Sequence, residues 1–153
     1  MRRPSNAKAE TVASSGMFRD AFARQRALIP AALFYEWRPV EGQKAKQPFA
    51  IARQDGKPMA VAGIWEGWRG EGGEVIRSFA VVTTEANQLM SQVHNRMPVI
   101  LEEPDWPVWL GEREGDPASL LHPASEDVLR LWPVSPLVNN VRNDGPALLN
   151  QAA

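Results

Sequence analysis

Short apolar runs of strand length, separated by proline, glycine and charged clusters, recur along this chain from Ala32 to Val134. In Ala32–Trp37, a period of two puts Leu33, Tyr35 and Trp37 on one face and Phe34 and Glu36 on the other. Pro48–Arg53, Met59–Trp68, Val75–Thr84, Met97–Leu101 and Val128–Val134 read as further strands. Asp55-Gly56 is a hairpin-turn signal, and Gly70–Gly73 a flexible turn. Helical spacing appears twice. Met17, Phe18, Ala21 and Phe22 form an apolar stripe behind the capping residues Ser14 and Ser15, which predicts a helix to about Gln25. Ala86, Leu89, Met90 and Val93 predict a second over Glu85–Val93. Pro104–Leu110 suits a short helix with proline in its first turn, and Pro117–Leu121 one more helical turn. Ala9–Val12 reads as a short strand entered by a loop at Asn6. Ile29-Pro30 closes the first helical unit, and Asn139–Asn150 is mostly loop. There is no internal repeat, low-complexity tract or linker. The expected fold is α+β: a single domain over residues 6–149, built around a bent antiparallel β-sheet or barrel with a few short helices. Residues 1–5 and 150–153 are expected to be flexible ends.

Composition narrows the chemistry. A chain of 153 residues suits one domain. Its 13 prolines break up long helices, and its 6 tryptophans need a core or a stacking surface. Cysteine is absent, which removes disulfides, thiolate metal ligands and cysteine nucleophiles. Two histidines, His94 and His122, leave little room for a histidine-rich metal centre. No metal or cofactor is expected. No apolar run approaches the roughly 20 residues that span a bilayer. No apolar stretch follows Arg2-Arg3 to make a secretory signal, so a cytoplasmic location is expected. The net charge of -1 gives no bulk attraction to nucleic acid, although 13 of the 17 basic residues are arginine and leave room for a local basic groove. Gly70-Glu71-Gly72-Gly73 lacks the lysine and helix of a phosphate loop. No Gly-x-Ser-x-Gly elbow is present.

Three segments set polar residues in apolar surroundings. Asn6-Ala7-Lys8-Ala9-Glu10-Thr11 reads on its own as a loop entering a strand, with Asn6 as a turn residue. Leu33-Phe34-Tyr35-Glu36-Trp37 carries a carboxylate in an aromatic strand. Two readings stand: an edge strand with Glu36 facing water, or a buried carboxylate whose raised pKa suits proton transfer. His94-Asn95-Arg96-Met97-Pro98-Val99-Ile100-Leu101 places a histidine and an arginine on one face if extended. That pair suits a phosphate; the alternative is a histidine capping the preceding helix.

Taken in order, these segments resemble the SOS response-associated peptidase (SRAP) family. The resemblance adds Phe34-Tyr35-Glu36-Trp37, Ala62-Gly63-Ile64-Trp65-Glu66, Thr83-Thr84-Glu85-Ala86-Asn87, and the closing Pro133–Asn140 and Asn143–Pro146 segments. It implies binding of single-stranded DNA and sensing of abasic sites. In the family an N-terminal cysteine amine attacks the open sugar aldehyde. Its thiol then closes a thiazolidine, a stable DNA–protein crosslink. By motif, the residues around that cysteine fall on Asn6, Glu36 and His94. The DNA-binding set falls on Lys8, Arg96, Thr83 and Trp37. Arg96 and Lys8 are expected to hold phosphates, and Trp37 and Tyr35 either stack on bases or fill the core. The implied partners are single-stranded and abasic-site DNA, which places the protein at the nucleoid when bound.

The sequence departs from the family pattern in two ways. No counterpart of the Cys start and its following block precedes Asn6, so the chain as given is expected to be crosslink-incompetent. Lys8 also stands where arginine is usual, keeping charge but losing the bidentate fork. An exposed apolar patch or unpaired sheet edge is expected where that segment would pack. Two alternatives stand beside this reading: a phage-related or mobile-element relative that only binds single-stranded DNA, and a peptidase or hydrolase using Glu36 and His94. The residues leave open whether the chain is an enzyme.

Overall fold

A computed structural model of the chain describes residues 4–152. The chain opens with a short strand β1 (Asn6–Lys8), a helical turn α1 (Ala9–Val12) and a helix α2 (Arg19–Arg24). Strands β2 (Arg26–Ala31), β3 (Leu33–Arg38), β4 (Gln47–Arg53), β5 (Met59–Arg69) and β6 (Val75–Glu85) follow. Helix α3 (Gln88–Ser91), strand β7 (Arg96–Pro98), helix α4 (Trp106–Leu110) and strand β8 (Leu129–Pro133) complete it. The architecture is α+β as expected. Its strands form two open sheets, ordered β1-β6-β5-β2 with β7 also on β6, and β3-β4-β8. Neither sheet closes into a barrel. Every named pairing is antiparallel except β1 on β6.

The start of the chain differs from the expectation. The strand lies at Asn6–Lys8, and Ala9–Val12 is a helical turn instead of a strand. Only β1 is extended, because Asn6, Ala7 and Lys8 pair with Val81, Val82 and Thr83 of β6. The first helix is shorter than predicted. A further strand, β2, pairs with β5 from Arg26↔Ile64 to Ala31↔Met59. Its Pro30 fits because β2 is an edge strand, where a missing N–H costs no ladder bond. The Asp55-Gly56 turn is present, with Gly56 at φ 76°, where a side chain would be strained.

Two clusters make the core. One packs Val12, Ala21, Phe22, Ile64, Val82 and Trp109 under the five-stranded sheet. Trp109 is fully buried, and its indole N–H donates to the Ala27 carbonyl at 2.9 Å. The second joins the sheets: Phe49 and Ile51 of β4 pack with Met90, Val93 and Met97 around α3 and β7. Gly63 on β5 allows β2 to approach, since a Cβ there would lie 2.6 Å from Ile29 Cδ1. The outer β5–β6 hairpin carries exposed apolar residues: Trp68, paired with Ile76, and Val75 and Phe79. Among the described residues no helix is long and apolar enough to cross a membrane.

Candidate functional site

The corner where β1, β6 and β7 meet gathers four of the predicted residues. Lys8 pairs with Thr83 on one side of β6, and Thr83 pairs with Pro98 of β7 on the other. Arg96, at the start of β7, reaches back across Thr83. Its Nη2 donates to the Thr83 carbonyl at 2.6 Å and lies 3.4 Å from Thr83 Oγ1. Asn6 and Lys8 are exposed on β1.

Arg96 is not a bare cation. Glu10 grips it bidentately, at 2.6 Å from Nη1 to Oε1 and 3.0 Å from Nη2 to Oε2. The hydrogen bonds from Arg96 hold the Glu10 carboxyl below its ordinary value. The expected phosphate ligand therefore meets Arg96 with a carboxylate already seated on it. Sequence reasoning missed Glu10 as its partner, although Glu10 lies in the same block as Asn6 and Lys8.

His94 is placed by helix α3. Asn87 caps that helix, its Oδ1 accepting from the Met90 N–H at 2.9 Å, while its Nδ2 donates to the Ala124 carbonyl at 3.0 Å. Glu126 accepts from the Gln88 and Leu89 N–H groups at 2.7 and 2.9 Å. The helix ends with the His94 N–H on the Met90 carbonyl at 2.9 Å. The half-buried imidazole then turns forward, and the Arg96 backbone N–H donates to Nδ1 at 3.0 Å. The Arg96 carbonyl oxygen lies 3.2 Å from the same Nδ1, so that atom accepts from the Arg96 amide when the ring proton is on Nε2 and donates to the Arg96 carbonyl when it is on Nδ1. The ring thus holds the turn into β7 and does not cap the helix carbonyls.

Glu36 lies on the other sheet. It pairs with Phe49, and Phe34 pairs with Ile51. Glu36 therefore shares a sheet face with Phe34, Phe49 and Ile51, which pack against Met90, Val93 and Met97 around His94. Among the described residues no hydrogen bond or ion pair links Glu36 to Asn6 or His94. Glu36 is half-buried, on an edge strand but on its inward face. Trp37 is on the opposite face with Tyr35, and its indole N–H donates to Asn139 Oδ1 at 2.7 Å. Among the described residues no cluster of His, Asp and Glu could hold a metal ion.

The profile of the SOS response associated peptidase (SRAP) family matches residues 1–141. The chain belongs to the SRAP family. The chain is similar to the abasic site processing protein YoqW of Bacillus subtilis (strain 168), 37% identical over 147 residues, covering 94% of this chain and 65% of YoqW. It is similar to YedK of Escherichia coli (strain K12), an abasic site processing protein, at 35% over 150 residues, covering 94% of this chain and 65% of YedK. A solved structure from Bacteroides thetaiotaomicron shares the fold with a TM-score of 0.87 and 27% identity, over 97% of this chain and 66% of that one. The chain thus spans just under two thirds of the length of these relatives.

Proposed function

We propose that this chain binds single-stranded DNA across the β1–β6–β7 corner and engages the opened sugar of an abasic site with Asn6, Glu36 and His94. One observation supports it above the others. Lys8, Thr83 and Arg96 meet on three adjacent strands, with His94 Nδ1 pinned by the Arg96 backbone. Lys8 and the outer edge of Arg96 take the flanking phosphates, and binding is salt-dependent for that reason. The imidazole edge of His94 that carries Nε2 faces the sugar ring oxygen or a phosphate, and donates there when the ring proton is on Nε2. Where the family's N-terminal cysteine supplies the amine, the half-buried Glu36 carboxylate is the group to move protons at the carbinolamine, taking one from the attacking amine and helping the hydroxyl leave as water. Asn6 donates and accepts at once, so it orients the nucleophile. The relatives are abasic site processing proteins, which supports the same substrate class.

The crosslink implied by the resemblance needs an amine and a thiol on one residue. The amine attacks the sugar aldehyde carbon, water is lost, and sulfur adds to the imine carbon. None of the 153 residues is cysteine, so for these residues the proposal covers strand binding and abasic-site recognition, in the cytoplasm at the DNA. The test compares binding to a single strand with one abasic position and to its intact counterpart. Wild type should prefer the abasic strand. Glu36→Ala and His94→Ala should lose that preference while keeping affinity for the intact strand. Equal affinity of the wild type for both strands would overturn the reading.

A further inference from the structure

A cavity of about 720 Å³ opens over the β3–β4–β8 sheet, on the face opposite Glu36. Leu33 and Ala52, paired across β3 and β4, make its floor. Arg130 and Trp132 of β8 make one wall. Residues Leu149, Asn150 and Gln151 make the other, tied down where the Trp132 indole N–H donates to the Leu149 carbonyl at 2.8 Å. Lys57 stands on the rim just after the Asp55-Gly56 turn.

The charge of this cavity is one-sided. Arg53, Lys57 and Arg130 line it, and among the described residues no carboxylate does. Arg53 is neutralised by Asp55 at 2.9 Å and Glu102 at 2.8 Å. Among the described residues, neither Lys57 nor Arg130 forms an ion pair. Two uncompensated cations in a concavity of ligand size attract a phosphate. Arg130 adds a plane: its guanidinium carbon lies 5.0 Å from the Trp132 ring centroid. A guanidinium held over an indole presents its far side as a platform for a base. An inorganic anion would use only the N–H edges; a nucleotide uses the edges and the plane.

We propose that this cavity binds one nucleotide unit of single-stranded DNA away from the abasic position. The phosphodiester sits between Lys57 and Arg130, and the base stacks on the Arg130–Trp132 pair. The proposal rests on the DNA-binding reading above and adds a second contact on the opposite face of β3–β4–β8. A strand that fills both must be longer than the few nucleotides that fill one.

The test uses the 153-residue chain labelled with nitrogen-15. The Trp132 indole N–H and Arg130 Nε–H signals are assigned from Trp132→Phe and Arg130→Lys. Both should shift on titration with dT20, and neither with dTMP or inorganic phosphate at the same phosphate concentration. In anisotropy titrations, Lys57→Ala with Arg130→Ala should weaken dT20 binding about tenfold. The pair should also lower the slope of log affinity against log salt by about 0.7, the value for one phosphate on a single strand. Affinity for dT4 should not change. Both side chains are solvent-facing, and an unchanged melting temperature checks that the double variant is folded. Unmoved Trp132 and Arg130 signals with dT20, or a wild-type salt slope in the double variant, would overturn the proposal. Equal shifts with dTMP would overturn the strand assignment in favour of a free mononucleotide, and equal shifts with phosphate alone would reduce it to an adventitious anion. Failure of the underlying reading looks different: dT20 then leaves the Thr83 and Arg96 backbone signals unmoved, whatever Trp132 does.

Discussion

Glu10→Gln should tighten single-stranded DNA binding while it loosens the fold. In the wild type, a phosphate approaching Arg96 competes with the Glu10 carboxylate for Nη1 and Nη2. The pair is partly exposed, with side-chain exposures of 24% for Arg96 and 51% for Glu10, so the ion pair is worth only about 1 kcal/mol. Glutamine keeps the size and one acceptor but not the charge. The Thr83 carbonyl still holds Arg96 Nη2, so the guanidinium stays in place. Removing the carboxylate also removes its repulsion of a phosphate about 6 Å away, roughly 0.7 kcal/mol in water and about half that at physiological salt. The sum is about 1.3 kcal/mol, close to a tenfold gain in affinity. One phosphate contact freed of competition should steepen the salt slope by about 0.7. Loss of the ion pair should lower stability by about 1 kcal/mol, or about 2–4 °C in melting temperature for a chain of this size. The assay is anisotropy with labelled dT20 between 50 and 200 mM salt, beside thermal melts. If Glu10→Gln binds no better at any salt while its melting temperature falls, Arg96 is a strut for β1 and β7 and not a phosphate contact. Arg96→Ala completes the cycle. It should weaken binding by about 1–3 kcal/mol and reduce the slope by about one unit, and Glu10→Gln should then add nothing.

The 153-residue chain, incubated with an abasic single strand without reductant, should give no heat-stable shifted band on a denaturing gel; such a band would show crosslinking chemistry that needs no thiol. Long-range proton–nitrogen spectra should find His94 with its proton on Nε2, because the Arg96 N–H contact at 3.0 Å is shorter than the Arg96 carbonyl contact at 3.2 Å; a proton on Nδ1 would make the carbonyl the partner and refute the Nε2 assignment. Because the folded-state value of Glu10 is depressed, its ion pair stabilises fully above the ordinary value of 4.5 and fades as pH falls below it. Melting temperatures of wild type should therefore fall more steeply than those of Glu10→Gln below that pH, and parallel curves would refute the linkage. Trp109→Ala should cost about 3–5 kcal/mol in denaturant unfolding, since it empties a fully buried site and breaks the bond to Ala27; a loss under 1 kcal/mol would mean that α4 does not anchor the first core cluster.

The long strands were legible because their side chains are sorted locally. Phe34 and Glu36 do share a face, and β4, β5 and β6 fall close to the predicted ranges. The first residues were not legible, because nothing local marks Asn6–Lys8 as a strand. It is extended only through parallel pairing with a partner about 75 residues later. Pro30 masked β2 in the same way: a proline reads as a break until an edge position explains it. Of the site, the residue types and their blocks were visible, and Lys8, Thr83, His94 and Arg96 do meet around one corner. The Glu10–Arg96 ion pair spans 86 residues and has no periodic signature. The cavity over the second sheet is equally non-local, since it depends on β8 lying beside β4 and on the last residues folding over Trp132.

Glu36 and Trp37 are neighbours in sequence, yet the pleat sends them to opposite faces of one edge strand. A one-residue slip of β3 against β4 would exchange them, putting an indole toward the Phe49–Ile51 cluster and a carboxylate toward the Arg130 cavity. Polar contacts do not prevent this from the inner side, because among the described residues Glu36 has no hydrogen-bond partner there. The register is held by Phe34 packed into the cluster with Ile51 and Met97, and on the outer face by the Trp37–Asn139 bond. The position of the candidate proton-transfer group is therefore set by apolar packing. Substitutions at Phe34 or Asn139, neither of which carries chemistry, should disturb the site as directly as substitutions at His94.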